Sequence, residues 1–260
     1  MKRLTKVLLI ILCFCVMLFY SNISNATDAS SLASLGVEKP SNVDEFQIGA
    51  YVTFGAYQQT ESWWNRSPIE WLVLDKKENK ALLISRYGLE ARPYDSRMFT
   101  KVTWEDCSLR AWLNDEFANW AFTNEEYNAI LLTDIDNSKS QGYWRTDGGN
   151  NTQDKIFLLS YVEANQYFGV IYQGREIVEA RVSPTEHAII QRAFTSSDNI
   201  TSEGKSAGSW WLRSPGSSQS EALYVTSNGS IYAFNVDFLT CCVRPALWVN
   251  LDSEIFHSEN

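Results

Sequence analysis

Histidine is nearly absent from this 260-residue chain. The two present, His187 and His257, sit in no spacing that resembles a metalloprotease helix, a zinc site or a serine–histidine pair. A phosphate-cradling glycine loop and a dinucleotide-binding turn are missing as well. Glycosidase chemistry needs only two carboxylates, which the 31 acidic residues can always supply, so nothing specific points to it. Positive charge is also scarce: 22 basic residues leave a net charge of −9. Such a surface repels phosphate backbones and anionic membranes, which argues against nucleic acid as a partner. Cysteine is sparse, and Cys13 and Cys15 lie in the N-terminal apolar run, leaving Cys107, Cys241 and Cys242. Three thiols, two of them adjacent, cannot build a multi-bridge framework. One bridge from Cys107 to Cys241 or Cys242 suits an oxidising compartment, and three small buried hydrophobes are the alternative.

Long hydrophobic runs are lacking too. Val7 to Tyr20 is too short to span a bilayer comfortably; Lys2, Arg3 and Lys6 precede it and Ser21-Asn22 follow. That order is the pattern of a secretory signal, and Ser24-Asn25-Ala26 offers a cleavage site after Ala26. An uncleaved anchor is the alternative. Because Cys13 follows a leucine, a lipoprotein is not expected. Removal of residues 1–26 takes away three basic and no acidic residues and moves the net charge to about −12. The expectation is a protein that is secreted, extracellular or at the cell surface, with no membrane contact after cleavage.

Residues 27–43 are small and polar and read as a linker or arm. Order is expected over 44–252 as one domain, with 253–260 a frayed tail. EFQIGAYVTFGAY alternates like a strand that Gly55 ends, and Ile69–Leu74 and Ala81–Ser85 form a hairpin around a charged turn. Helices are announced by Thr103-Trp104-Glu105-Asp106, Thr123-Asn124-Glu125-Glu126, Ser160 with Glu163, and Ser183-Pro184-Thr185-Glu186, where Pro184 suits the first helical position. GSWWLR, EALYVTS, SIYAF and VRPALWV then read as four short strands, with Ser227-Asn228-Gly229 a hairpin turn. Strands at both ends with helices between them imply an α+β domain.

What is abundant is tryptophan, ten in all. Trp71, Trp104, Trp112 and Trp248 fall within apolar periodic runs and read as core. Trp63, Trp64 and Trp144 sit among polar residues, where flat apolar area beside hydrogen-bonding edges suits sugar rings or peptide chains. Capping of the sheet ends is the other reading. On a strand, Trp210 and Trp211 must face opposite sides. Trp210 is expected in the core, and Trp211 with Arg213 toward loops where a ligand can reach them. Arg213 and Arg244 carry a structural alternative, pairing with buried carboxylates or carbonyls. Asn235 and Asp237, after the SIYAF strand, complete the ligand-binding candidates; Trp210, Arg244 and Trp248 are assigned to structure. No metal site is assigned. Asp134, Asp136, Asn137, Asp147, Asn150 and Asp154 offer oxygen ligands for calcium as a minority reading, without EF-hand spacing.

The ordered blocks FGAY, PIEWLVLD, ALLISRYGL, VTWEDCSLRAWLNDEF, DKIFLLSYVEANQYF, GSWWLRSPG, SNGSIY and VRPALWV resemble a bacterial domain of unknown function found in secreted and surface proteins. The resemblance covers about residues 46–251. The ending is also similar to the C-type-lectin-like fold of formylglycine-generating enzymes and receptor-binding variable proteins, which implies that N- and C-terminal strands lie together. Calcium-dependent sugar binding is not implied, because the nearest string, Trp112-Leu113-Asn114-Asp115, lies in an expected helix. Oxidase activity is not implied either, because Cys241 and Cys242 are adjacent. The resulting expectation is a non-enzymatic recognition module for a glycan or a surface protein. A secreted enzyme acting on polysaccharide or protein side chains, and a structural cell-surface component, are the alternatives.

Overall fold

The apolar alternation between Phe46 and Ser85 builds strands, and the last strand of the chain returns to them. The computed structural model describes residues 42–62, 64–98 and 100–257. The expected signal at 1–26, nearly all of the arm at 27–43, Trp63 and the last three residues lie outside them. In chain order the strands are β1 (Tyr51–Gln58), β2 (Arg66–Lys77), β3 (Lys80–Ser85), β4 (Glu90–Ala91), β5 (Thr133–Ile135), β6 (Thr152–Asp154) and β7 (Ile156–Phe157). They continue as β8 (Thr195–Ile200), β9 (Ser206–Gly208), β10 (Trp210–Pro215), β11 (Glu221–Val225), β12 (Ile231–Asn235), β13 (Cys242–Val243) and β14 (Ala246–Asn250). The helices are α1 (Ser108–Trp112), α2 (Ala118–Ala121), α3 (Asn124–Ala129), α4 (Tyr161–Phe168) and α5 (Glu186–Ile190); a π-helical segment, Leu113–Phe117, joins α1 to α2.

Two five-stranded sheets result, in the orders β1-β2-β3-β14-β7 and β12-β11-β10-β13-β4, with β5-β6 and β8-β9 as small pairs. Among the strands of the described residues, β10 and β13 are the pair that runs parallel. The class is α+β with mostly antiparallel sheets. C-terminal β14 lies along β3, from Ala246 opposite Ile84 to Asn250 opposite Lys80. Among the described residues, no helix is long and apolar enough to cross a membrane.

Several local expectations change. Gly55 does not end β1. It takes φ +68° at a register shift between Thr53 and Ala56, so the strand continues through a bulge. The first helix is capped not by Thr103 but by Cys107, whose Sγ accepts from the Arg110 N–H at 3.4 Å. Thr103–Asp106 is a turn instead. The cap of α5 is Thr185, which leaves Pro184 just outside the helix. The capping boxes at Thr123/Glu126 and Ser160/Glu163 both form. The tail is not frayed through His257: Phe256 is buried, its ring 5.1 Å from Phe46 and 5.7 Å from Phe54. Cys107, Cys241 and Cys242 are free thiols, all buried.

Strand β10 shows what the paired tryptophans do. All six of its residues are buried. Trp210 turns toward Phe168, 6.0 Å away, and donates its indole N–H to the Ala180 carbonyl at 3.0 Å. Trp211 turns the other way, against Tyr94 and Tyr224, and donates to the Arg92 carbonyl at 2.9 Å. The expectation that Trp211 is open to a ligand is therefore wrong; strand β10 is covered on both faces. Each indole withdraws roughly 150–250 Å² from water, worth about 4–6 kcal/mol gross at about 25 cal/mol/Å². An orphaned N–H would give back about 1–3 kcal/mol of that, which is why each ring ends at a carbonyl.

Arg213, also offered as a ligand contact, is buried and structural. It donates to the Leu158 carbonyl at 2.8 Å and to the Asp136 carbonyl at 3.3 Å, and it pairs with Glu163. Arg244 donates to the Ser85 carbonyl at 2.8 Å and lies over the Trp210 ring at 4.9 Å and the Phe168 ring at 5.1 Å. Burial lowers its pKa to about 10, still well above neutral pH. Trp248, expected in the core, is half-buried beneath Lys80 and Lys77, 5.1 and 5.4 Å from its ring.

Two predictions follow from packing and charge. A Cβ on Gly55 would meet the Phe122 ring at 2.6 Å and the Ala121 carbonyl oxygen at 2.7 Å, whereas one on Gly169, at a nearly equal φ of +69°, would meet nothing within 4 Å. Gly55→Ala should therefore cost at least about 2 kcal/mol more than Gly169→Ala in denaturant unfolding, because only it adds overpacking to the left-handed strain. Equal losses would contradict the bulge. Glu163 is the second case. Burial alone would push its carboxyl up, but Arg213 and the Ser160 N–H outweigh that and hold it below the usual glutamate value. Its contribution is complete above about pH 4.5, the ordinary glutamate value, and fades as pH falls through the lowered folded value. Glu163→Gln keeps the cap but leaves Arg213 uncompensated, so it should cost about 3 kcal/mol at pH 7 and less at pH 3. A pH-independent loss would refute the assignment.

Candidate functional site

The face of the second sheet that holds Trp211 also carries a strip of aromatic rings. Antiparallel pairing sets Tyr224 opposite Tyr232, and Phe234 follows two residues on, so the three share that face. Residues 171–173 lie alongside β12: the Gln173 N–H reaches the Ile231 carbonyl at 2.9 Å, which brings Tyr172 within 6.1 Å of Tyr232. The loop after β5 adds Tyr143 and Trp144, whose rings sit 4.6 and 4.4 Å from Tyr172. That loop is tied back by Thr146, which donates to the Gly216 carbonyl at 2.7 Å. Tyr161 at 5.8 Å from Tyr143, and Phe238 at 4.1 Å from Phe234, close the two ends. Tyr143, Tyr232 and Phe234 are exposed; Trp144, Tyr172 and Tyr224 are half-buried. Two of the phenols are held protonated: burial pushes Tyr224 up to about 12, and Tyr172 is raised as well, by burial and then by Glu221.

A separate cleft of about 250 Å³ opens beside β1, β2 and β4, under the α1–α2 segment and α5. Its inner wall is a hydrogen-bonded trio. The Glu90 Oε2 atom accepts from the Tyr57 hydroxyl at 3.0 Å and lies 3.0 Å from His187 Nε2. Glu90 and His187 are both buried. Burial first, and the adjacent Glu90 second, push the Tyr57 phenol up, so it stays a neutral donor. Trp112, Phe117 and Trp120 supply apolar surface along the same cleft, and Arg66 and Arg92 supply charge. The π-helical turn that carries Glu116 and Phe117 is a local deviation of the type that recurs at functional sites. The thiols are less available: burial pushes Cys107 and Cys242 up to about 12 and Cys241 well above its ordinary value.

Of the residues singled out from sequence, Trp144 enters the aromatic strip. Asn235 is exposed at the end of β12 beside it, and Asp237 follows next to Phe238. Trp64 is 69% exposed but lies between β1 and β2, on the other sheet. Trp211 and Arg213 are interior. The acidic loop is occupied by the protein itself. Asp136 accepts from Ser138 and Gln141, the Asp147 side chain from the Gly149 N–H, and buried Asp154 from Arg110 at 2.7 Å and Trp104 at 2.8 Å. Among the described residues, no group of three or more His, Cys, Asp or Glu side chains is placed to hold a metal ion. The strip's tyrosines and the Tyr57–Glu90–His187 trio were missed. A count of tyrosine beside tryptophan would have flagged the former. The trio joins residues 33 and 97 positions from Glu90, and no local spacing marks it.

Comparison with known proteins adds a family and nothing on activity. Residues 78–251 match a family described as a domain of unknown function, DUF6273. No curated protein matches the chain, and no solved structure does. The matched span runs from the β2–β3 turn through β14 and contains the whole aromatic strip, whereas Tyr57 and Arg66 of the cleft precede it. With most of its length inside that match, the chain belongs to the DUF6273 family.

Proposed function

We propose that the protein is an exported, non-enzymatic recognition module that binds a glycan along the aromatic strip of its second sheet. The observation that carries the reading is the run of rings from Tyr161 through Tyr143, Trp144, Tyr172 and Tyr232 to Phe234, partly open to solvent on one face. Flat rings bearing hydroxyls stack on the apolar faces of sugars and hydrogen-bond their edges. A purely apolar partner would leave those hydroxyls unsatisfied on binding. Gln173, within 3.2 Å of the Tyr172 hydroxyl, and exposed Asn235 add polar groups at the rim. A chain of net charge −9 suits an uncharged ligand at this surface.

The pairing of β14 with the N-terminal hairpin supports a C-type-lectin-like relationship, in which N- and C-terminal strands lie together. The basic, apolar, polar order of residues 1–26 supports export.

Binding of the purified protein to an immobilised panel of neutral glycans tests the proposal. Selective binding should weaken at least tenfold, about 1.4 kcal/mol, in a Tyr172→Ala/Tyr232→Ala double variant whose unfolding midpoint is near that of the parent. A blank across the panel, or binding that the double variant retains in full, would sink it.

A further inference from the structure

We propose that the cleft beside the Tyr57–Glu90–His187 trio is a second, independent binding site, and that it takes a single hydroxylated ring bearing a carboxylate, of the hexuronic-acid type. It shares no residue with the aromatic strip and goes beyond the reading above.

Size sets the first bound. A dry cavity of roughly 150 Å³ accepts benzene, and clefts for drug-sized ligands start near roughly 300 Å³. About 250 Å³ therefore fits one substituted six-membered ring. Charge sets the second. Arg66 is half-buried and donates to the Ala56 carbonyl at 3.4 Å; among the described residues no carboxylate lies within ion-pair distance of it. Burial lowers its pKa despite the more distant Glu126, which is the signature of a guanidinium short of an anion. Arg92 has only a loose pairing, 3.8 Å from the largely exposed Glu116, and is otherwise laid over the Trp112 ring at 4.5 Å. Two guanidiniums line one small cleft, and the forked donors of each suit a carboxylate.

The acidic background does not prevent this. At physiological salt, charges farther than about 8 Å are largely screened, so the local balance decides. Within the cleft, Glu90 is spent on Tyr57 and His187, and Glu116 faces solvent. Polarity sets the third bound. An aromatic acid would bury against Trp112, Phe117 and Trp120 but leave Tyr57, Gln58 and His187 facing carbon. A ring carrying several hydroxyls meets both walls, stacking on indole and bonding to the polar floor.

Sodium glucuronate and sodium galacturonate, titrated into the purified protein and followed by tryptophan fluorescence and calorimetry, test the proposal. Glucose and sodium acetate serve as the matched neutral ring and the bare carboxylate. At least one uronate should saturate with Kd of roughly millimolar order, and glucose and acetate should each bind at least tenfold more weakly. Arg66→Gln should weaken uronate binding at least tenfold. Arg92→Gln, at a side chain 41% exposed, should weaken it several-fold with the unfolding midpoint near that of the parent. The Tyr172→Ala/Tyr232→Ala variant should bind uronate normally, which separates this site from the strip. No saturable uronate binding, equal affinity for glucose, or binding unchanged in both arginine variants would overturn it.

Discussion

The structure turns on a strand that cannot be left uncovered. β10 buries both of its faces, and two tryptophans, Trp210 and Trp211, lie back to back across it. Each must be packed over its whole area and each must find a carbonyl for its indole N–H. Ala180, in the segment leading to α5, satisfies Trp210; Arg92, at the end of β4, satisfies Trp211. Irregular chain is thereby fixed at two points by side chains from the centre of the sheet. Arg213 extends the principle. One guanidinium reaches the Leu158 and Asp136 carbonyls and Glu163, so β7, the loop after β5 and the cap of α4 are all referenced to β10.

Both candidate sites depend on that strand. The aromatic strip lies on the Trp211 face, where Tyr224 packs on the indole edge and the outer rings continue toward β12. The cleft includes Arg92, whose own carbonyl receives the Trp211 N–H, so one residue faces the core with its backbone and the cleft with its side chain. Trp211 thus contributes to both candidate sites by holding other groups in place. The buried, raised thiols and the capped acidic loop contribute to the fold in the same indirect way, through packing and hydrogen bonds.

Much of the architecture was legible because it is local. The first hairpin, the capping boxes at Thr123 and Ser160, the Asn228-Gly229 turn and the opposite facing of Trp210 and Trp211 all follow from rules acting over a few residues. Gly55 was misread because a glycine at positive φ looks the same in sequence whether it ends a strand or bulges one; the choice is made by Phe122, far along the chain. Trp211 was misread because alternation tells which residues share a face but not whether a further layer covers it. Here Tyr94 and Tyr224 provide that layer. The short strands β4, β8 and β9 carry little pattern of their own and form because partners are already in place. The Tyr57–Glu90–His187 trio is a product of tertiary structure alone. His187, which no motif spacing marks, lies 3.0 Å from Glu90 by its Nε2 atom, and both residues line the cleft.

Indole N–H resonances offer the most direct test that recognition runs along the aromatic strip, since tryptophans are spread through every part of the structure. The protein would be titrated with neutral oligosaccharides while the side-chain signals are followed by heteronuclear NMR, with Trp144 assigned by Trp144→Phe. The account predicts that the Trp144 signal moves with saturation while those of buried Trp71, Trp104 and Trp210 stay in place. Movement of Trp64 or Trp120 with Trp144 unchanged would put the glycan on a different surface and contradict it.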